Sequence, residues 1–213
     1  MVSQAKTHVA PSRRALPQEV VDGYKRDRVA LALAEVASES SVGDLTVTAL
    51  TKRAKIARNT FYELFANRHD AVRYSVELGN RRLREAIDRG ADQGGGWQNR
   101  VRGVISTLLA EVAAEPALAE LSLVQGGVVE RPPVGPFDPA LIESFAGVLH
   151  AGRRERQQPL PGPRTEELLA CGILTVVAQR LRRGEAETLP TLSSELAEIA
   201  MLPFTPEAAP SYS

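Results

Sequence analysis

The sequence predicts an all-α protein in two parts, a three-helix amino-terminal domain and a larger helical domain, joined by one long helix. Three observations lead there. Apolar residues recur at three- and four-residue steps through most of the chain, as on one face of a helix. Alternation of apolar and polar residues is nowhere sustained long enough to build a sheet, and no internal repeat is evident. Two very short helical segments, separated by a break of about three residues, lie within a cluster of aromatic and basic side chains around Lys55.

Residues 1–17, with Lys6, Pro11, Arg13, Arg14 and Pro17, read as a flexible basic arm. From Gln18 to about Ser40 the residues Val21, Val29, Leu33, Val36 and Ala37 form one apolar stripe, which Gly43 and Asp44 interrupt. A short helix from Thr46 or Val47 to Arg53 follows, then another from about Arg58 to Leu64. Asn67 is suited to cap the next helix, with Asp70 at the capping-box position, and that helix runs to about Arg89. The run ADQGGG ends it.

Beyond the glycines the pattern stays helical. The spacing predicts helices from Trp97 to Ala114, from Pro116 to about Gln125, and from Asp138 to about Arg156, with a loop through GGVVERPPVGPF. After a break at QQPLPGP come helices from Arg164 to Arg183 and from Thr191 to about Met201, and residues 204–213 read as a loose tail. The segment TEELLACGILTVVAQRL carries Leu168, Leu169, Ile173, Leu174, Val176, Val177 and Leu181 on more than one face. A helix with one buried stripe needs only about a third of its circumference apolar, so the surplus predicts a second partner surface. Leu169, Ile173 and Val176, with Leu192, Leu196 and Ile199 of the last helix, are the expected four-helix dimer contacts; an entirely intramolecular core is the alternative.

Composition narrows the function. With 43% hydrophobic and 24% charged residues over 213 positions, the body of the chain is globular. Cys171 is the single cysteine and lies in an apolar run, so a buried thiol is expected and an internal disulfide is impossible. No stretch offers 18 continuous apolar residues for a membrane span, and the start lacks a secretory apolar region, so a cytoplasmic location is expected. His8, His69 and His150 are not spaced as a metal triad, Cys171 has no adjacent acid or base, and ADQGGGWQ is no phosphate loop. No catalytic, metal or cofactor site is therefore expected. The net charge is zero, yet residues 1–90 carry 16 Lys/Arg against 11 Asp/Glu while residues 91–213 carry 10 against 15. Polyanions are attracted to the first segment, because binding follows the local potential.

The stretch LTVTALTKRAKIARNTFYELF fits a helix-turn-helix, in which a first helix braces a second that enters the DNA major groove. Val47, Leu50 and Ala54 line the first helix, Ile56 bridges the turn, and Phe61 and Phe65 line the second and its exit. A generic helical hairpin shares this spacing. Arg58, Asn59, Thr60, Tyr62 and Glu63 remain on the polar side, where Arg pairs with guanine, Asn with adenine, and hydroxyls reach phosphates. Each has a plainer alternative: a solvated charge for Arg58, a local helix-start role for Asn59, a half-buried packing ring for Tyr62.

These residues carry a resemblance. TVTALTKRAKIARNTFYELFANRHDAV is similar to the DNA-binding segment of the TetR family of transcriptional regulators, which runs T-V-x-x-I-A-x-x-A-G-V-S-x-G-T-[LIF]-Y-x-x-F-x-x-K-x-x-L. Thr46, Val47, Leu50, Ala54, Ile56, Thr60, Phe61, Tyr62 and Phe65 match, and Arg68 replaces the usual lysine. The resemblance implies a helix-turn-helix domain over 18–66, a connecting helix over 67–89, and an effector-binding and dimerisation domain over 90–203. It places Arg58, Asn59 and Thr60 at the groove, Tyr62 at a phosphate or base edge, Thr46 at a phosphate, and Arg68 near the backbone at a helix start. It departs at Thr51, Lys55 and Ala57, where the family often has alanine, glycine and serine. Lys55 in a left-handed turn costs about 1 kcal/mol relative to glycine, and the missing hydroxyl cap at Ala57 roughly another 1 kcal/mol; Lys55 in return reaches toward phosphate.

The resemblance also implies a ligand-responsive regulator, a repressor that binds double-stranded DNA at a palindrome as a homodimer. An apolar or aromatic small-molecule effector would lie among the helices of 97–156. Trp97, Leu108, Leu109, Leu121, Leu123, Phe137, Leu141 and Phe145 would line that site or form core, with Gln125 or His150 as a polar anchor if turned inward. The competing reading is a helical protein-interaction module of the same fold whose specific DNA binding is weak or lost.

Overall fold

A computed structural model describes residues 17–40, 42–125, 137–155 and 162–204. The predicted arm before Pro17, the tail after Phe204, and most of the two proline-rich breaks lie outside these residues. Every described regular element is helical: α1 Gln18–Glu39, α2 Val47–Ala54, α3 Arg58–Leu64, α4 Arg68–Ala91, α5 Trp97–Ala114, α6 Pro116–Glu120, α7 Pro139–Glu155, α8 Thr165–Arg182 and α9 Ser193–Met201. Short 3₁₀ turns cover Val42–Asp44, Ala186–Leu192 and Leu202–Phe204, and a π-helical turn, Leu121–Gln125, continues α6.

Local chemistry sets the boundaries. Thr46 caps α2, its Oγ1 accepting the Ala49 N–H at 3.1 Å. Asn67 caps α4 by accepting the Asp70 N–H at 3.0 Å, and Asp70 reaches back to accept the Ala66 N–H at 3.1 Å. That is the expected reciprocal cap, shifted one residue outward on the return bond. Pro116 starts α6, where its missing N–H is no loss. Asp138 accepts the Ala140 N–H at the head of α7 and ties that helix to α4 through Arg84 at 2.8 Å.

Two apolar cores result. The first gathers Val29, Leu33, Leu45, Leu50, Phe61, Leu64, Phe65 and Val72 from α1 to α4. The second gathers Leu83, Ile87, Val104, Leu108, Phe145, Leu174, Val177 and Met201, with α5 at its centre. The 24 residues of α4, about 36 Å long at 1.5 Å per residue, contribute to both. So does the unit of α6 and its π-helical turn: Leu118 and Leu121 enter the first core while Ala119 and Leu123 enter the second. Ser122, between them, is buried with its hydroxyl 3.0 Å from the Leu118 carbonyl and 3.3 Å from the Val76 carbonyl of α4.

Several sequence expectations are settled or corrected here. Leu121 belongs to the amino-terminal core, and Trp97, Leu108, Leu109, Leu123, Phe137, Leu141 and Phe145 are closed core, each 4% exposed or less. Gln125 is half-buried, and His150 points outward at 53% side-chain exposure with Nδ1 3.4 Å from Glu166, so it is not an inward anchor. Phe204 is packed at 6% exposure, its ring 5.0 Å from that of Trp97, rather than lying loose in the tail. Cys171 is half-buried, and partial burial raises its thiol pKa.

Backbones come closest where α4 crosses α5. A Cβ on Gly90 would meet the backbone of Gly103 and Val104 and the Thr107 hydroxyl, which donates to the Ala86 carbonyl at 2.7 Å. Gly90→Ala gains about 1 kcal/mol of helix propensity, but the helices cannot both keep their places. We expect a net loss of about 1–3 kcal/mol in chemical denaturation; an unchanged or raised midpoint would show that the crossing relaxes freely.

Candidate nucleic-acid interface

α2 and α3 meet through a tight turn. Lys55 closes α2 in the left-handed region, φ 53° and ψ 49°, and the Ile56 N–H returns to the Thr51 carbonyl at 3.1 Å. Lys55 thus adopts the conformation its usual glycine would take. Ala57 precedes α3 with no side-chain cap, as its methyl dictates. α3 has seven residues and is fixed from inside by Phe61 at 0% exposure and Leu64 at 4%. Thr51, at 9% exposure, turns its hydroxyl to the Thr48 carbonyl instead of leaving a buried polar group unpaired.

The opposite side of α3 is open. Arg58, Asn59, Tyr62 and Glu63 are exposed, and Thr60 lies half-buried at the flank. Tyr62 is 48% exposed, its ring edge-on to Phe61 at 5.5 Å and 5.8 Å from the Arg58 guanidinium. An aromatic ring with one edge on the core and its hydroxyl end in solvent is positioned for contact as well as packing. Lys52 and Lys55 extend the exposed positive rim beside the turn.

The remaining expected DNA contacts have second roles. Thr46 is exposed at the head of α2; its oxygen accepts the cap bond, and its hydroxyl proton stays available to an acceptor. Arg68 is half-buried, with Nη1 donating to the carbonyls of Gly43 at 2.9 Å and Leu45 at 2.7 Å. It therefore braces the α1–α2 connection at least as much as it offers charge. Arg53 forks onto α1, pairing with Glu35 at 3.0 Å and Glu39 at 2.7 Å. Asp70 is held below the usual carboxylate range, first by the Ala66 N–H and then by Arg73.

The expected association residues separate. α8 packs against α7, and α9 packs mainly across α5. Ile173 and Leu196 are 3% and 5% exposed and belong to the protomer core, whereas Leu169, Val176 and Leu192 are half-buried against it and Ile199 is exposed on α9. The outward stripe of α8 is Leu168, Gly172, Thr175 and Gln179, flanked by Val176, and Leu168 is 71% exposed. Leu168 was legible as surplus apolar surface, but spacing does not say which apolar face turns inward. Beside the head of α8, a cleft of about 560 Å³ lies over Ile142, Ala146, Gly147 and His150 of α7 and Glu166 of α8. Among the described residues, no group of three or more His, Cys, Asp or Glu could hold a metal ion, and no helix is long and apolar enough to cross a membrane.

The small amino-terminal helical bundle carried on a larger helical domain matches the TetR-like two-domain helical architecture. No protein-family model matches the chain, and no curated protein matches its sequence. Solved structures do match the fold. The fatty acid degradation regulator FadR of Bacillus halodurans superposes with a TM-score of 0.70 at 16% identity, over 89% of this chain and 97% of that one. FadR of Bacillus subtilis in complex with stearoyl-CoA gives 0.63 at 18% identity, over 82% and 96%. The TetR-family regulator PfmR of Thermus thermophilus gives 0.63 at 13% identity, over 82% and 94%.

The turn yields a direct test. Lys55→Gly removes the left-handed strain while loosening the unfolded chain, and we expect a gain of roughly 0.5–1 kcal/mol in chemical denaturation. An unchanged or lower midpoint would mean that contacts of the lysine side chain outweigh the strain.

Proposed function

We propose that this protein is a ligand-responsive transcriptional regulator of the TetR type, a repressor that binds a palindromic DNA site as a homodimer. The observation that carries the reading is the two-sided α3: Phe61 and Leu64 wholly inside, Arg58, Asn59, Tyr62 and Glu63 outside, beside exposed Lys52 and Lys55. Arg58 offers two donors and Asn59 a donor and an acceptor for base edges, and Glu63 accepts from a cytosine amino group. Tyr62, Thr46 and Lys55 serve phosphates. A helix of seven residues reads few bases, so two copies related by a twofold axis read a symmetric site. The outer stripe of α8, together with the small residues Ala146 and Gly147 on α7, is the surface we assign to the second copy.

Coupling to a small molecule follows from α6. Because Leu118 and Leu121 sit in the reading-head core while Ala119 and Leu123 sit in the larger core, a ligand that displaces α6 must disturb both. Such a ligand favours one arrangement of the two heads over another, and its effect on DNA equals its differential affinity for the two. The stearoyl-CoA bound by the Bacillus subtilis regulator supports an apolar effector here.

Two variants separate the parts. Tyr62→Ala should lower affinity for specific DNA by about tenfold or more, measured by fluorescence anisotropy, with the solution mass unchanged. Unchanged affinity would remove Tyr62 from the interface, and equal affinity for all sequences in the wild type would favour an interaction module over a regulator. Leu168→Glu should give folded monomers by light scattering, since the side chain is already mostly in solvent within the protomer. A wild-type mass for this variant would move the interface elsewhere.

A further inference from the structure

Arg26 on α1 is 38 residues before Leu64, and its Nη2 donates to the Leu64 carbonyl at 2.8 Å. Leu64 is the last residue of α3, whose final carbonyls have no partner within the helix. The same guanidinium lies 5.5 Å from the ring centroid of Phe65 and 5.8 Å from that of Tyr74, and those two rings meet at 5.6 Å. Tyr74, on α4, donates its hydroxyl to Asp27 at 2.6 Å, next to Arg26 in sequence. Asp27 also faces Arg81, one further turn and more along α4, at 3.9 Å.

We propose that Arg26 is the positioning residue of the DNA-reading surface: it fixes the direction of α3 by holding its last carbonyl and registers that direction against α4. The inference rests on α3 being the reading helix. α3 is too short to hold its own axis and leaves its last turn at once, Phe65 being extended at φ −136° and ψ 134°. At its carboxyl end the anchors are the buried Leu64 side chain, the Phe65 ring and Arg26, and of these only Arg26 holds the backbone carbonyl. The guanidinium lies within cation–π range of both rings and bonds the carbonyl at the same time; an ammonium keeps the charge but lacks the rigid planar fork. The positive charge also suits the negative end of the α3 dipole. Because Tyr74 belongs to α4, a displacement of that helix moves one of the rings on which Arg26 rests, and with it the end of α3. Arg26 therefore serves specificity by orientation and need not itself touch DNA.

The test compares wild type, Arg26→Ala, Arg26→Lys and Tyr74→Phe by anisotropy on two duplexes across a salt series, with thermal melts in parallel. One duplex is the sequence that the wild type enriches from a random pool; the other is its scrambled counterpart. We expect both Arg26 variants to lose about tenfold on the enriched duplex, to stay within about twofold on the scrambled one, and to keep the wild-type salt slope. Tyr74→Phe keeps the ring and should stay within about twofold on both. Should Arg26→Ala melt early, Arg26→Lys carries the same comparison with the charge and stem retained. Equal losses on both duplexes with a salt slope smaller by about one would make Arg26 a phosphate contact and overturn the proposal. So would unchanged affinity of both variants for the enriched duplex. If the wild type enriches no sequence, the regulator reading itself fails, an outcome distinct from either.

Discussion

The interaction on which the structure depends is the burial of Phe61 beneath a helix too short to exist alone. Seven residues allow few intrahelical hydrogen bonds, and a nucleus that small is unstable in water. Fully buried, Phe61 ties α3 to Leu33, Leu50 and Val72 of the same core, and the outer face of α3 takes whatever direction that seat allows. Tyr62, its neighbour, is forced outward by the helical turn. The exposed aromatic is a geometric consequence of the buried one.

Charge is distributed by the same logic. The amino-terminal segment is basic, yet several of its cations have structural partners. Arg53 forks onto two glutamates of α1, Arg68 holds the carbonyls before α2, and Arg26 holds the carbonyl that ends α3. Exposed ion pairs such as those of Arg53 are worth little individually, so their effect is direction more than stability. Lys52, Lys55 and Arg58 remain as the exposed positive side chains around the turn and α3. They lie beside the same short face as Asn59 and Tyr62, which concentrates the attraction for a polyanion at the face we propose for DNA contact.

Much of this was legible in the chain because the relevant signals are local. The helix starts at Gln18, Arg58 and Trp97, the Asn67 cap, and the split of α3 into Phe61 and Tyr62 faces all follow from spacing or from side-chain chemistry within four residues. The left-handed Lys55 was expected where a glycine was missing. What escaped was long-range. Nothing near Arg26 in sequence announces a carbonyl 38 residues away. Leu121 and Leu123 look alike on a linear reading, but lying two residues apart on one helical turn they point to opposite sides and enter different cores. On α8 apolar residues occupy both sides, so Ile173 inside and Leu168 outside could not be assigned by pattern. α9 pairs with α5, and Phe204 seats against Trp97 near the far end of the chain, contacts that no local pattern announces.

A dimeric regulator of this build requires two copies of α3 to read a symmetric DNA site. Selection of bound duplexes from a random pool by the full-length protein, followed by sequencing, tests that requirement most directly. The enriched sequences should contain an inverted repeat whose half-site centres are about one helical turn, or a multiple of it, apart, roughly 34–36 Å per turn. A pool that shows no enrichment, or enriches a single unrepeated motif while the protein is dimeric, would contradict it.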